Sequence, residues 1–335
     1  MLAGLKRGLI GLLSVAVVLS AWAGWWVWRD LPLRAATVEL AVEPGTPVRQ
    51  IAEQAHAAGV EVSTSLLYWL FRLSGQARQI KAGNYELSAG VSAWQLLQKL
   101  VRGDESLQSV SLIEGWTWRQ WRAALDKAEF LRHDTRDLSD AELARRLGLT
   151  PDALEGRFYP DTYTYGKGSS DLKLLQRAQR AMDRQLTAIW SARSEGLPIS
   201  DIEQARILAS LIEKETGRAS DRTMISSVFH NRLRLGMPLQ TDPTVIYGMG
   251  ANFDGNLRRR DLRTDHPWNT YTRNGLPPTP IAMPGKGALL AAVQPARSQA
   301  LYFVARGDGS SEFSDNLEQH NRAVDRYQRT RRQAQ

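Results

Sequence analysis

The sequence contains no cysteine. That excludes a disulfide framework, a thiolate nucleophile and a Cys-ligated zinc. It suits an oxidising compartment, where stray thiols are a liability. Histidine is scarce as well: His56, His133, His230, His266 and His320 are the only five, and their spacing is not that of metal ligands. There is no G-x-S-x-G, no G-x-x-x-x-G-K-[ST] and no H-E-x-x-H, so serine-hydrolase, P-loop and zincin chemistries have no seat. Gly248-Met249-Gly250 is too short to hold a nucleotide. Neither metal nor cofactor is expected.

What is present is an ordinary globular composition over 335 residues, 43% hydrophobic and 23% charged, enough for two or three folded units. The net charge of +8 favours polyanions such as nucleic acid, anionic lipid or acidic cell-wall polymer. Its arginines are spread along the chain, so a solubilising excess explains the charge equally well.

One long apolar run stands out. Lys6 and Arg7 precede Leu9 to Trp28, which carries no charge and is about the 20 residues a helix needs to cross a bilayer. Trp22, Trp25, Trp26 and Trp28 crowd its far end, where indoles prefer the membrane interface. The basic pair should stay cytoplasmic, sending everything after Arg29 outward. Ala21-Trp22-Ala23 also has the small-x-small form of a signal cleavage site, the competing reading. Either way the body of the protein is exported. We expect an anchor and linker over 1–34, a small α+β module over 35–106 and a larger mixed α/β domain over 107–335.

After the linker a pattern recurs three times: Pro44-Gly45-Thr46-Pro47, Ala89-Gly90-Val91-Ser92 and Glu114-Gly115-Trp116-Thr117. Each reads as strand end, glycine turn, hydroxyl N-cap and short amphipathic helix. Pro47 suits a first helical position. Strands are expected at Thr37 to Val42, Gly83 to Leu87 and Ser109 to Ile113. A polar helical region is expected over 128–149, an extended segment over 155–165, and a helix from Asp171 to about Trp190.

Asp201 to Thr216 reads as a helix capped by Ser200 or Asp201 and stopped by Gly217. At 100° per residue, Ile207, Leu208, Leu211 and Ile212 form a buried stripe, and Glu215 continues it. Glu213 falls on the other side with Arg206 and Ser210. A carboxyl at the end of an apolar stripe is desolvated, which raises its pKa toward that of a general acid. The alternative is an Arg-paired carboxylate that merely closes a helix end. A second helix is expected over Asp221 to Leu235. After it, Met237-Pro238-Leu239-Gln240-Thr241-Asp242-Pro243-Thr244-Val245-Ile246-Tyr247-Gly248 brings together an amide, hydroxyls, a carboxylate and an aromatic. Trp268-Asn269-Thr270-Tyr271 adds more of the same. Such side chains suit a sugar polymer, or else form Pro-stiffened turns with locally satisfied groups.

Glu213-Lys214-Glu215-Thr216, Asn231-Arg232-Leu233 and the run Leu239 to Gly248 resemble the endolytic murein transglycosylase, or YceG-like, family. Phe158-Tyr159-Pro160-Asp161-Thr162-Tyr163, Asn269-Thr270-Tyr271, Gly275-Leu276-Pro277-Pro278, Leu301-Tyr302-Phe303-Val304, Asn316-Leu317 and His320-Asn321 extend the likeness over almost the whole chain. Tyr159 is a small departure, since the family often has Phe there. The resemblance implies a single-pass inner-membrane protein with a LysM-like module around Val42 to Leu100 and a periplasmic catalytic domain. Its substrate would be peptidoglycan glycan strands, and peptidoglycan synthases such as penicillin-binding proteins would be its partners.

By the same resemblance Glu215 is catalytic. It would protonate the MurNAc–GlcNAc oxygen, then deprotonate the MurNAc C6 hydroxyl as that closes onto C1. The tethered nucleophile replaces a second carboxylate, and the product is a 1,6-anhydro end. Internal cutting and termination of nascent strands also follow from the family. Gln240, Asp242, Tyr247, Asn269 and Tyr271 are expected to position sugars, with Asn231, Asn316 and His320 as further candidates. Three other readings compete: a hydrolase with Asp242 as second carboxylate, a catalytically idle wall-binding scaffold, and a nucleic-acid binder, which the exported topology disfavours.

Overall fold

The computed structural model describes residues 2–151 and 153–329, with side chains described except at 2–10, 12, 328 and 329. They fall into two compact units. The first runs to Gln108 and takes in Tyr165–Gly168; the second comprises Ser109–Thr164 and the chain from Ser169 onward.

In the first unit, α1 (Leu2–Trp28) leads to β1 (Thr37–Val42), α2 (Val48–Ala58), α3 (Thr64–Leu73), β2 (Gly83–Ser88) and α4 (Ala93–Arg102). β1 and β2 pair antiparallel, Thr37 opposite Ser88 and Val42 opposite Gly83. Val38, Leu40 and Val42 alternate inward, as a half-buried strand requires. They meet Ile51, Ala55, Leu67, Phe71, Leu96 and Leu100 in one core. Trp26 and Leu31 join that core, and the Leu31 N–H bonds Val91 O at 2.8 Å. The expected linker at Asp30 to Arg34 is therefore partly structural, because its leucines have an apolar surface to bury against.

Among the described residues, no helix is long and apolar enough to cross a membrane. The expected anchor begins at Lys6, Arg7 and Leu9, whose side chains lie outside the described residues.

The second unit holds most of β3 (Leu107–Leu112), α5 (Trp118–Asp126), α6 (Asp140–Arg146), most of β4 (Asp161–Gly166), α7 (Asp171–Ser191), α8 (Ile202–Glu215) and α9 (Arg222–Arg234). Then follow α10 (Asp242–Met249), α11 (Arg259–Arg263), α12 (Lys286–Val293), β5 (Tyr302–Ala305), β6 (Ser311–Ser314) and α13 (Leu317–Val324). β3 pairs with β4, and β5 with β6. α8 packs against α7, α9, α10 and α12. Its Leu208, Leu211 and Ile212 lie fully buried beside Met182, Phe229 and Leu289.

The recurring glycine turns are real. Gly45, Gly90 and Gly115 all adopt the left-handed region that side chains disfavour. Ser92 and Thr117 then cap their helices in reciprocal capping boxes with Gln95 and Gln120. The first copy differs: Pro47 occupies the N-cap position, and the Thr46 hydroxyl donates back to Glu43 O at 2.8 Å instead. The region 128–149 is helical only over α6, and of the segment 155–165 only the end from Asp161 is strand.

Candidate active site

α8 delivers Glu215 as its last residue. Asp201 starts the helix by accepting the Gln204 N–H at 2.8 Å. The two-faced picture of α8 needs correction, because its other side is covered too. Arg206 and Ser210 are buried, and the Glu213 side chain is only 6% exposed. The Ser210 hydroxyl accepts the Ile281 N–H at 3.0 Å, and Glu213 accepts the Gly285 N–H at 2.9 Å. The segment 280–285 therefore folds over the face opposite the apolar stripe. Burial raises the pKa of Glu213 as well.

Glu215 differs from Glu213 in its partners. It stays partly open to solvent, and its Oε2 accepts a 2.7 Å hydrogen bond from the Thr241 hydroxyl. Burial pushes its carboxyl up to about 7. The Thr241 hydrogen bond and Arg232 pull the other way, while the charge of Asp242 pushes it further up.

Thr241 is held for this contact. Its N–H bonds Thr270 Oγ1 at 3.1 Å, and the Gln240 N–H bonds Thr270 O at 3.0 Å. Thr244 closes the knot, its hydroxyl meeting both Thr241 O and the Thr270 hydroxyl. Gln240, just before, has φ +50°, a left-handed backbone uncommon for a residue with a side chain. Thr241 stands at the N-cap position of α10 without a side-chain capping bond, and the first turn of α10 carries Asp242 and Pro243. The glycine of this run has a steric reason: a Cβ on Gly248 would lie 2.1 Å from the His266 ring.

Asp242 is exposed and accepts the Tyr271 hydroxyl, across 29 residues of sequence. Burial, then Asp242, raise the pKa of Tyr271, so the phenol keeps its proton. Gln240 is exposed, and its side-chain oxygen takes one hydrogen bond from Arg232 at 3.2 Å. Gln240, Thr241, Asp242 and Tyr271 thus gather around Glu215.

The remaining expected site residues bind the protein itself. Asn269 is fully buried, and its amide donates to Leu262 O and Thr264 O while its oxygen accepts the Tyr271 N–H. Asn231 donates to Ser298 O and Ala300 O, both at 3.0 Å. Asn316 caps α13 by accepting the Gln319 N–H. His320 stacks on Tyr302 at 5.2 Å, and the guanidinium of Arg232 lies over the same ring. Tyr247 points its hydroxyl at Glu155, 3.2 Å away.

Three residues of the site escape a reading of the sequence. Thr241 lies inside a quoted motif, but nothing in the motif says that its hydroxyl reaches Glu215. Arg232 is 7% exposed; it bonds Leu239 O and Leu301 O and places a cation near Glu215. Glu155 is a further buried carboxyl. Both its oxygens accept the Trp118 N–H, at 3.0 and 3.1 Å, and burial pushes it up to about 7. Among the described residues no group of three or more His, Asp or Glu is placed to hold a metal ion.

The arrangement offers a carboxyl poised between its two protonation states near neutral pH, a hydroxyl that steadies it, and a second carboxylate in the open. That set can exchange one proton with a bound substrate without further reagents.

Comparison with known proteins gives a consistent picture. Residues 40–326 match the model of the YceG-like family. The endolytic murein transglycosylase of Bacillus subtilis (strain 168) is 31% identical over 308 residues, covering 87% of this chain and 85% of that protein. The protein of the same name from Streptococcus pneumoniae serotype 2 (strain D39) is 28% identical over 321 residues, and the chain spans 58% of its length. A crystal structure of a yceG-like protein from Listeria monocytogenes superposes with a TM-score of 0.51 at 28% identity, covering 86% of this chain and 98% of that one.

Proposed function

The chain belongs to the YceG-like family, and from that membership we propose that it is a peptidoglycan lytic transglycosylase with Glu215 as its acid and base. The relatives' shared name supports the reaction class. The observation that carries the residue assignment is the Glu215 carboxyl, which burial lifts to about 7 and Thr241 steadies. An acid with that pKa can both give and take a proton at neutral pH.

Neutral Glu215 protonates the oxygen linking MurNAc C1 to GlcNAc C4. The C1–O bond breaks, GlcNAc departs with that proton as its hydroxyl, and positive charge develops at C1. The Glu215 carboxylate then takes the proton of the MurNAc C6 hydroxyl as O6 closes onto C1. The glutamate regains its starting state, no water is consumed, and a 1,6-anhydro end remains. O6 is tethered to the sugar it attacks, so proximity does the work of a second activating group.

Gln240, Asp242 and Tyr271 are the side chains that meet the sugars, with Asp242 and Tyr271 acting as one hydrogen-bonded pair. Asn231, Asn269 and Tyr247 hold the walls on which these residues stand, and Asn316 and His320 do the same at α13. The strand–helix–helix–strand unit formed by β1, α2, α3 and β2 serves as a LysM-like module that binds glycan. The N-terminal helix anchors the chain once through the inner membrane and leaves both units in the periplasm. From there the enzyme cuts within nascent strands beside peptidoglycan synthases and so ends their elongation.

Mass spectrometry of fragments released from peptidoglycan tests this. Wild type should give anhydro-MurNAc ends and Glu215→Gln none. Reducing MurNAc ends would instead mean hydrolysis, with Asp242 as the second carboxylate. No fragments from folded wild-type protein would favour a wall-binding scaffold.

A further inference from the structure

α3 is apolar on two faces. Leu67 and Phe71 point into the core of the first unit and are fully buried. Leu66, Trp69, Leu70 and Leu73 follow one another at the i, i+3, i+4, i+7 spacing of a second stripe. Leu66 and Leu70 are partly buried against the core at its inner edge, but its outer edge is uncovered: Trp69 is 54% exposed and Leu73 77%. Large apolar side chains in a row on a surface mark an interaction site.

The stripe is continuous with the end of α1. Trp22, Trp26, Leu66, Trp69, Leu70 and Leu73 line one open groove. Trp26 and Val27 fasten α1 to the core of the same unit, so the two helices are parts of one folded surface. On α1 itself Val18, Trp22, Trp25 and Trp28 remain exposed. Indole N–H groups aside, Ser74 supplies the only polar side-chain atom along the groove among the described residues, and its hydroxyl already donates to Phe71 O at 2.9 Å. A glycan would need more donors and acceptors than that. Cations flank the patch: Arg72 closes α3, and the Arg29 guanidinium lies 4.9 Å over the Trp25 ring.

We propose that the outer face of α3 lies in the interfacial layer of the bilayer beside the end of α1, seating the first unit on the membrane surface. Tryptophans at the headgroup level, leucines reaching the acyl boundary and arginines toward lipid phosphates form the pattern of an interfacial helix. The proposal rests on the anchored reading of α1 and adds a second, in-plane contact to it.

The absence of cysteine makes the test direct. Val18→Cys, Leu73→Cys and Leu317→Cys each introduce one thiol at an exposed leucine or valine of the full chain. Each variant is spin-labelled and reconstituted into vesicles of phosphatidylethanolamine and phosphatidylglycerol. Depth is read from the ratio of accessibility to oxygen and to a nickel chelate. The expected order is position 18 deep, position 73 shallow but several-fold above position 317, and position 317 aqueous. An aqueous label at 73 with a deep label at 18 would overturn the α3 contact and leave the anchor standing. A label at 73 shielded from both relaxants would mean cover by protein, and would overturn it as well. An aqueous label at 18 would sink the anchor itself and this inference with it.

Discussion

Replacing Glu215 with glutamine should destroy activity and at the same time stabilise the fold, in a way that depends on pH. The carboxyl moves from 4.5 in the unfolded chain to about 7 in the folded one. A raised acid holds its proton in the fold while the unfolded chain releases it. Its contribution is therefore intact below pH 4.5 and is lost as pH rises through 7. Each pKa unit corresponds to about 1.4 kcal/mol, so the shift amounts to roughly 3 kcal/mol by pH 8. Glutamine has the same shape and never ionises. Glu215→Gln should match wild type near pH 4 and exceed it by about 3 kcal/mol at pH 8. Urea unfolding of the purified chain, followed by tryptophan fluorescence at the two pH values, gives the comparison. Equal midpoints at pH 8, or the same gain at both pH values, would refute the claim that burial lifts this carboxyl. Activity lost together with stability would point to a merely structural glutamate.

The neighbours of Glu215 should move its titration in opposite directions. Thr241→Val removes a hydrogen bond that favours the anion, so the alkaline limb of kcat/KM should shift to higher pH; Asp242→Asn removes a repelling charge and should shift it lower. Two shifts of the same sign would contradict the electrostatics described for the site. Asn269→Ala should lower stability by about 2–4 kcal/mol, because it strands buried carbonyls of the 261–264 turn, and calorimetry would register this as a fall in Tm. Glu155→Ala and Tyr247→Phe each remove one shared hydrogen bond, so a double-mutant cycle on stability should be non-additive by about 1 kcal/mol; additivity would mean that the contact does not form.

Local patterns of the chain were easy to read and its long-range pairings were not. The alternation of Val38, Leu40 and Val42 and the capping of α4 and α5 are properties of a few adjacent residues. So is the start of α8, which Asp201 caps; its end is not, because Thr216 turns extended and Gly217 does not adopt a left-handed cap. The surroundings of α8 are not local. A helical wheel takes one buried side for granted, but segment 280–285 closes over the second and turns Glu213 inward. The amides of Asn231 and Asn269 have the chemistry of sugar ligands, yet carbonyls of loops 298–300 and 261–264 take them up first. Glu155 and Tyr247 are 92 residues apart, and Asp242 and Tyr271 are 29 apart. Composition carries no trace of such pairs.

The burial of α8 on both sides also decides which parts of the catalytic unit can yield. Helices α7, α9 and α12 hold it like a post set in masonry, so Glu215 has a fixed address. The stretch from Gln240 to Tyr271 is different. It carries exposed side chains, a left-handed residue at its start and a phenol–carboxylate latch between its ends. Room for a bulky polymer beside the Glu215 carboxyl therefore depends on the exposed part of this stretch, between α10 and Trp268. Shortening the loop between α10 and Trp268 should alter which strands enter, provided that Thr241 and Thr270, which hold the Glu215 contact, stay in place.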